Sequence, residues 1–205
     1  MRPSRHKTII EAARAEIVER GYAAVSIRDI AQRAGMSMSA LYHYYPGKQA
    51  LLMAILDEGV DAFFTACQEA LAEAGDDPAE RLEALVTATV RFRAEHPAKS
   101  AITLSEERSL EPGNQERYQR RLGESTRLFQ AIVEDGVAEG LFNTPYPEDA
   151  RRAIIAMCNA IGQWYRADGP LTLDDLAERY VALALTLVEY RPRAVRRTAR
   201  PKSSG

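Results

Sequence analysis

Three histidines, two cysteines and several pairs of adjacent acids have the right types for catalysis or metal binding, and their spacing serves neither. His6, His43 and His96 are scattered, with no carboxylate or cysteine at metal-ligand distance in the chain. Cys67 and Cys158 allow at most one disulfide and form no C-x-x-C, a usage that fits a reduced, intracellular protein. No glycine-rich phosphate loop and no G-x-S-x-G occurs. Asp76-Asp77, Glu106-Glu107 and Asp174-Asp175 fall at helix starts or in polar stretches, where capping and solvation account for them. No catalytic residue, metal site or cofactor is expected. What remains is non-covalent chemistry: hydrogen-bonding side chains in residues 37–44, and cations gathered at the two ends.

The charge is segregated. Residues 1–50 carry eight Lys/Arg against four Asp/Glu, a surplus of +4. Residues 51–190 carry thirteen against twenty-five, a deficit of −12, and residues 191–205 carry six and no acid. Basic ends around an acidic middle suggest a polyanion for the termini and a different task for the body, although ordinary scatter of charge is the plain alternative. With 46% hydrophobic and 27% charged residues over 205 positions, the composition is globular and excludes a fibrous or disordered chain. The basic opening is followed at once by Glu11, Arg14, Glu16 and Glu19, unlike a signal peptide. The apolar run Val181-Ala-Leu-Ala-Leu-Thr-Leu-Val188 is far short of the ~20 residues that span a bilayer. A soluble, cytoplasmic chain without a membrane partner is expected.

Apolar residues recur at helical spacing almost throughout, and Gly/Pro punctuation predicts nine helices. They cover about residues 4–20, 27–34, 38–44, 48–74, 78–95, 98–110, 115–139, 148–167 and 173–190. Gly21 and Gly140 act as stops, Asp77-Pro78 and Thr172-Leu-Asp-Asp175 as starts, and Glu111-Pro-Gly113 as a break. Beyond Arg191-Pro192 the composition is that of a disordered basic arm.

The most informative run is Ser26-Ile-Arg-Asp-Ile-Ala-Gln-Arg-Ala-Gly-Met-Ser-Met-Ser-Ala-Leu-Tyr-His-Tyr-Tyr45. Ser26 can cap a helix, with Asp29 answering its backbone N–H. Ile27, Ile30, Ala31 and Ala34 form one buried face. Gly35 permits a sharp exit, Ser37 caps the next helix, and Met36 can staple to Leu41. Two short helices joined by a three-residue turn with glycine make a helix-turn-helix, whose second helix enters the DNA major groove. An αα-corner inside any helical protein would share this local pattern. The outer face of the second helix carries Ser37, Met38, Ser39, Tyr42 and His43 rather than an ordinary Lys/Glu solvent face.

Together with Glu11-Ala-Ala, Gly21-Tyr, Val25 and Leu41-Tyr-His-Tyr-Tyr-Pro-Gly-Lys48-Gln-Ala-Leu, this stretch resembles the N-terminal domain of the tetracycline-repressor (TetR/AcrR) family of bacterial transcriptional regulators, over about residues 6–53. The resemblance implies an all-α homodimer. A three-helix DNA-binding domain with the helix-turn-helix occupies 1–47, a larger helical ligand-binding and dimerisation domain 48–190, and a basic tail 191–205. It places Ser26 and Arg28 on DNA backbone, Ser37, Met38, Ser39, Ala40, Tyr42, His43 and Tyr44 on the recognition helix, and Lys48 on a phosphate. An ammonium beside free helix N–H groups is also an anion seat on physical grounds. Met38 stands where Lys or another polar residue is frequent, Ser39 where Gly is common, and Ala40 where Thr or Ser is common. These departures bear on which bases are read.

The resemblance weakens beyond about residue 55. Asn159, Gln163 and Arg166 fall at i, i+4 and i+7 beside Met157, Ile161, Trp164 and Tyr165, a polar stripe that lines a pocket, meets a partner helix or simply faces solvent. The segment Cys158-Asn-Ala-Ile-Gly-Gln-Trp-Tyr-Arg-Ala-Asp-Gly-Pro-Leu-Thr172 is similar to family members that sense acyl-coenzyme A thioesters in fatty-acid or steroid breakdown. That likeness implies an acyl-coenzyme A inducer, with Arg120, Arg121, Arg127 and Arg166 (and Arg117 nearby) as cations for its phosphates. Phe129, Met157, Trp164 and Tyr165, with Asn159 and Gln163, would line the rest of its site. Pairing of the seventh-helix arginines with Glu116, Glu124 and Glu134 on a solvated face is the alternative. Ala153, Ala156, Ala160 and Gly162, with a last helix apolar on more than one side, point to a four-helix dimer interface; a monomer whose last helix is simply central is the alternative. The expected protein is a repressor released from a palindromic operator in double-stranded DNA by a small-molecule inducer. The alternatives are an efflux-type regulator sensing hydrophobic drugs and, more remotely, a helical ligand-binding protein or enzyme without DNA affinity.

Overall fold

Four of the helices begin on a proline, because that residue has no N–H to lose in the first turn and its φ is already helical. The computed structural model describes residues 5–193, so the arm expected at 191–205 lies, from residue 194 on, outside the described residues. The helices are α1 (Arg5–Arg20), α2 (Ile27–Arg33), α3 (Met38–Tyr44), α4 (Lys48–Glu73), α5 (Pro78–Glu95), α6 (Pro97–Ser105), α7 (Pro112–Ala138), α8 (Pro147–Trp164) and α9 (Leu173–Leu187). Short 3-10 turns cover Tyr22–Ala24 and Glu106–Ser109. Among the described residues there is no strand beyond one isolated bridge between Phe142 and Tyr190, so the all-α expectation is met.

Several boundaries differ from the sequence expectation. Glu111-Pro-Gly113 does not break the chain ahead of a later start; Glu111 precedes Pro112 at the first position of α7. The sixth helix ends at Ser105 and tightens into a 3-10 turn instead of continuing to Leu110. The eighth stops at Trp164, where Tyr165 turns extended, rather than at Ala167. The ninth stops at Leu187 rather than Tyr190. Glu189 adopts φ +51°, and Tyr190 N–H closes onto Leu185 O at 2.9 Å. The N–H groups of Asn143 and Thr144 take Val188 O at 3.0 and 3.2 Å, tying the 141–144 segment to the helix end.

Two apolar clusters hold the helices. The first gathers Ile9, Ile10 and Ala13 of α1, Ile30, Leu41, and Leu51 to Val60 of α4, with Ile102, Leu110 and Tyr118 reaching in from the body. The second surrounds α5, whose Leu82, Leu85 and Val86 are fully buried against α4, α7, α8 and α9. Helix α4 serves both, through Leu52 and Leu56 at its start and Phe63 and Cys67 further on. Glu58 ties three elements at the junction, 3.1 Å from Arg14 of α1 and 3.5 Å from Lys99 of α6. Of the apolar residues on α9, Leu176, Ala177 and Ala184 face the core, while Leu183 and Leu187 are exposed.

Candidate nucleic-acid interface and body cavity

The helix-turn-helix is set by local hydrogen bonds. Ser26 N–H donates to Asp29 Oδ2 at 2.8 Å and Asp29 N–H returns to Ser26 Oγ at 3.2 Å, a reciprocal cap on α2. The Ser26 hydroxyl, then its backbone N–H, hold the Asp29 carboxyl below its ordinary range. At the far end Gly35 sits at φ +66°. Its N–H donates to Gln32 O at 3.1 Å and Met36 N–H to Ala31 O at 3.0 Å, so the orphan carbonyls of α2 are met while the chain reverses. Ser37 Oγ then accepts from Ala40 N–H at 3.1 Å and starts α3. Leu41 anchors α3 with no exposure, and Tyr45 closes it by hydrogen bonding His6 of α1 at 2.9 Å.

With Leu41 inward, the opposite face of α3 is solvent-facing. Ser37, Ser39, Tyr42, His43 and Tyr44 are exposed there, Tyr42 to 48%, and His43 meets Tyr44 edge-on at 5.7 Å. Met38 and Ala40 are half-buried; Met38 packs onto the first cluster. Ser26 and Arg28 are exposed at the start of α2. Lys48 stands at the first residue of α4, its Nζ 4.0 Å from the centre of the Tyr22 ring. Partial burial lowers its pKa. Next to Lys48, Gln49 was not anticipated. Its Nε2 donates to the Tyr22 hydroxyl at 3.1 Å and to Ser109 O at 2.8 Å, and its Oε1 accepts from Glu111 N–H at 3.2 Å.

The body contains a cavity of about 170 Å³ between α4, α5, α6, α7 and α8, lined among others by Phe63, Thr89, Arg93, Thr103, Phe129 and Asn159. Arg93 is its one deeply buried cation among the described residues, 4% exposed. Its guanidinium lies 4.5 Å from the Phe63 ring centre and its Nε donates to Asn159 Oδ1 at 3.1 Å. Desolvation lowers its pKa from the ordinary arginine value. Burial likewise raises the thiols of Cys67 and Cys158 to about 12, so both stay protonated and inert.

Comparison with known proteins follows this division. The model described as bacterial regulatory proteins, tetR family, matches residues 9–55, and that described as tetracyclin repressor-like, C-terminal domain, matches residues 75–188. The chain belongs to the tetR family. It is 32% identical over 184 residues to the HTH-type transcriptional repressor KstR2 of Rhodococcus jostii, covering 88% of this chain and 89% of that protein. Against KstR2 of Mycobacterium tuberculosis H37Rv it is 28% identical over 186 residues, 89% and 92% of the two chains. The solved structure of a tetR-family regulatory protein from Rhodococcus RHA1 superposes with a TM-score of 0.85 at 30% identity, over 93% of this chain and all of that one. The solved structure of the ketosteroid transcriptional regulator KstR2 of M. tuberculosis gives 0.81 at 26%, over 94% and 98%.

This tetR-family protein is a DNA-binding transcriptional regulator and not an enzyme. Among the described residues no helix is long and apolar enough to cross a membrane. Of the body residues singled out from sequence, the structure brings Phe129 and Asn159 together in the cavity wall. Met157 packs on the second cluster. Arg121 is held by Asp57 and Asp61, and Arg117 by Asp57 at 2.9 Å, so these two pair across to α4 rather than with glutamates of their own helix. Arg120 and Arg127 line a shallow depression of α7 with Glu116 and Gln119. Gln163, Trp164, Tyr165 and Arg166 cluster at the end of α8; Trp164 is 47% exposed and Arg166 donates to Tyr165 O at 2.9 Å. Arg93, Phe63 and Thr89 were missed. A signal existed: Leu82, Val86, Thr89 and Arg93 recur on one helical face, which places an arginine in line with core residues.

Proposed function

We propose that two copies of the chain bind a palindromic operator as a repressor and leave it when a small molecule, an acyl-coenzyme A thioester by class, enters the body. The observation that carries this reading is the likeness to KstR2, a repressor, over the body as well as the DNA-binding helices. Ser26, Arg28 and Lys48 hold the DNA backbone in it, while Ser37, Met38, Ser39, Tyr42, His43 and Tyr44 face the bases. The exposed Leu183 and Leu187 of α9 lie at the two-fold contact. Phe129, Met157, Asn159, Gln163, Trp164 and Tyr165 serve the acyl group, and Arg120, Arg121, Arg127 and Arg166 the phosphates. Release requires that the ligand prefer a dimer whose recognition helices are mis-spaced for the operator, and a tenfold effect needs about 1.4 kcal/mol of such preference.

The test is a mobility-shift titration of the protein on DNA from upstream of its own gene. Long-chain and steroid-type acyl-coenzyme A thioesters, free coenzyme A and neutral or cationic hydrophobic drugs are the additions. Release by thioesters alone is expected. Release by the drugs alone overturns the inducer class and moves the protein to the efflux-controlling side of the family; a lone buried arginine in the cavity speaks against cationic drugs.

A further inference from the structure

A guanidinium stays charged at any physiological pH, and burying it without an anion is costly. Arg93 is 96% buried by its 4% exposure, yet no carboxylate lies within ion-pair distance among the described residues. Among the described residues its one hydrogen bond is from Nε to Asn159 Oδ1, and the Phe63 face covers one side of the plane. The terminal Nη1 and Nη2 groups have no hydrogen-bond partner among the described residues, and Arg93 forms part of the cavity wall.

The rest of the wall supplies few competing donors. Thr89, Thr103, Ser125 and Thr126 give their hydroxyl protons to helix carbonyls, to Leu85 O at 2.7 Å, Lys99 O at 2.8 Å, and Leu122 O at 2.9 and 3.3 Å. Asn159, by accepting from Arg93 through Oδ1, leaves its amide N–H groups unused beside the guanidinium. Donors are therefore concentrated at one place, where Arg93 and Asn159 meet. Glu107 also lines the cavity, its Oε1 accepting from Gln119 at 2.8 Å, and disfavours a ligand that is anionic along its whole length.

We infer that Arg93 and Asn159 form a carboxylate-binding subsite, so that the part of the inducer that enters the body ends in an acid group. It rests on the reading that the body holds the inducer, and adds what the buried end of that molecule must be. An apolar cavity of about 150 Å³ accommodates benzene, so about 170 Å³ takes a group of six to eight heavy atoms and not a whole coenzyme A. The carboxylate is then either a free short acid or the far end of a thioester whose nucleotide stays outside. Fork geometry from guanidinium to carboxylate supplies the missing counter-charge.

Calorimetry on the full chain with two matched pairs tests this: hexanoate against 1-hexanol, and adipoyl-coenzyme A against hexanoyl-coenzyme A. Tighter binding of the acid-ended member by about tenfold or more in at least one pair is expected, the scale of a charge-assisted hydrogen bond. The pair that shows it tells a free acid from a thioester. Equal binding within both pairs, or no binding by either acid, overturns the subsite. Operator release by hexanoyl-coenzyme A would then still uphold the inducer reading. In Arg93→Met the acid preference should vanish while the melting temperature holds or rises, because an uncompensated buried charge has gone. A lower melting temperature with the acid preference intact makes Arg93 a structural cation and overturns the inference. If that variant fails to fold, Arg93→Lys, which keeps the charge and loses the planar fork, should show a reduced acid preference.

Discussion

Gln49 Nε2 donates to the carbonyl of Ser109 at 2.8 Å, joining the first turn of the helix that carries Lys48 to the turn that precedes α7. The same side chain reaches Tyr22 and Glu111, so one amide spans the DNA-binding helices and the body. Gln49→Ala removes three hydrogen bonds at a half-buried joint and should cost about 1–3 kcal/mol. Amide hydrogen exchange checks where that loss falls. Faster exchange in α2 and α3 with α5 unchanged is expected; equal acceleration in α5 would mean that the joint is not local.

Backbone and base contacts should separate by mutation. Lys48→Ala should weaken binding to operator and unrelated DNA by a similar factor and reduce the salt slope by about one. Tyr42→Ala or His43→Ala should cost about 1–3 kcal/mol on the operator and blur base preference. Equal loss of discrimination in Lys48→Ala, measured by competition with scrambled sites, counts against the division.

How much of this was open to the sequence depends on the range of the interactions. The α2–α3 turn is fixed by residues within six positions of one another: Ser26 with Asp29, Gly35 with Gln32, Ser37 with Ala40. Its geometry is therefore legible in one line of text. The end of α9 is less so: no glycine marks the stop, Glu189 takes φ +51° there, and the Val188 carbonyl is met by Asn143 and Thr144, more than forty residues earlier. The cavity divides the same way. Asn159 stands out inside an apolar run, whereas Arg93 sits among Arg91 and Glu95 and looks like a solvent residue until helical phase is counted from Leu82. Arg121, by contrast, finds its partners on α4, some sixty residues away, which no spacing within α7 announces.

Acid should loosen the cap of α2. The Asp29 carboxyl is held below its ordinary value of 3.8, first by the Ser26 hydroxyl and then by the Ser26 N–H. A depressed carboxylate stabilises the fold fully above its unfolded value and loses that contribution as pH falls through the folded one. The stability gap between the wild type and Asp29→Ala should therefore be constant above about pH 5 and close below 3.8. A gap that widens in acid would refute the sign.

Glu189 is the one non-glycine residue with positive φ among the described residues, and its N–H and that of Tyr190 close the end of α9. A side chain in that region costs about 1 kcal/mol relative to glycine. Glu189→Gly should raise stability by about 0.5–1 kcal/mol in denaturant unfolding, since the hydrogen bonds to Leu185 and Thr186 are made by backbone. A fall in stability would show that the glutamate side chain matters more than its φ.

The exposed stripe of α9 bears on assembly. Leu183 is 51% exposed and Leu187, one turn on, 36%, whereas Ala184 beside them is fully buried and Leu185 is packed partly onto the second cluster. A helix that has met its own core on one side and still shows leucines on the other has apolar area to give to a second copy, and a two-fold axis lets the same stripe meet itself. Charge should then act differently by position. Leu183→Glu and Leu187→Glu put a carboxylate where only the partner would desolvate it, so folded monomers with weak operator binding are expected. Leu176→Glu puts the charge into the core of the monomer, where an unpaired carboxylate costs several kcal/mol, and should unfold the chain. Light scattering with circular dichroism separates the two outcomes. A Leu183→Glu protein that stays dimeric with full operator affinity would move the interface off α9, because a buried like-charge pair on the two-fold axis cannot be carried without loss.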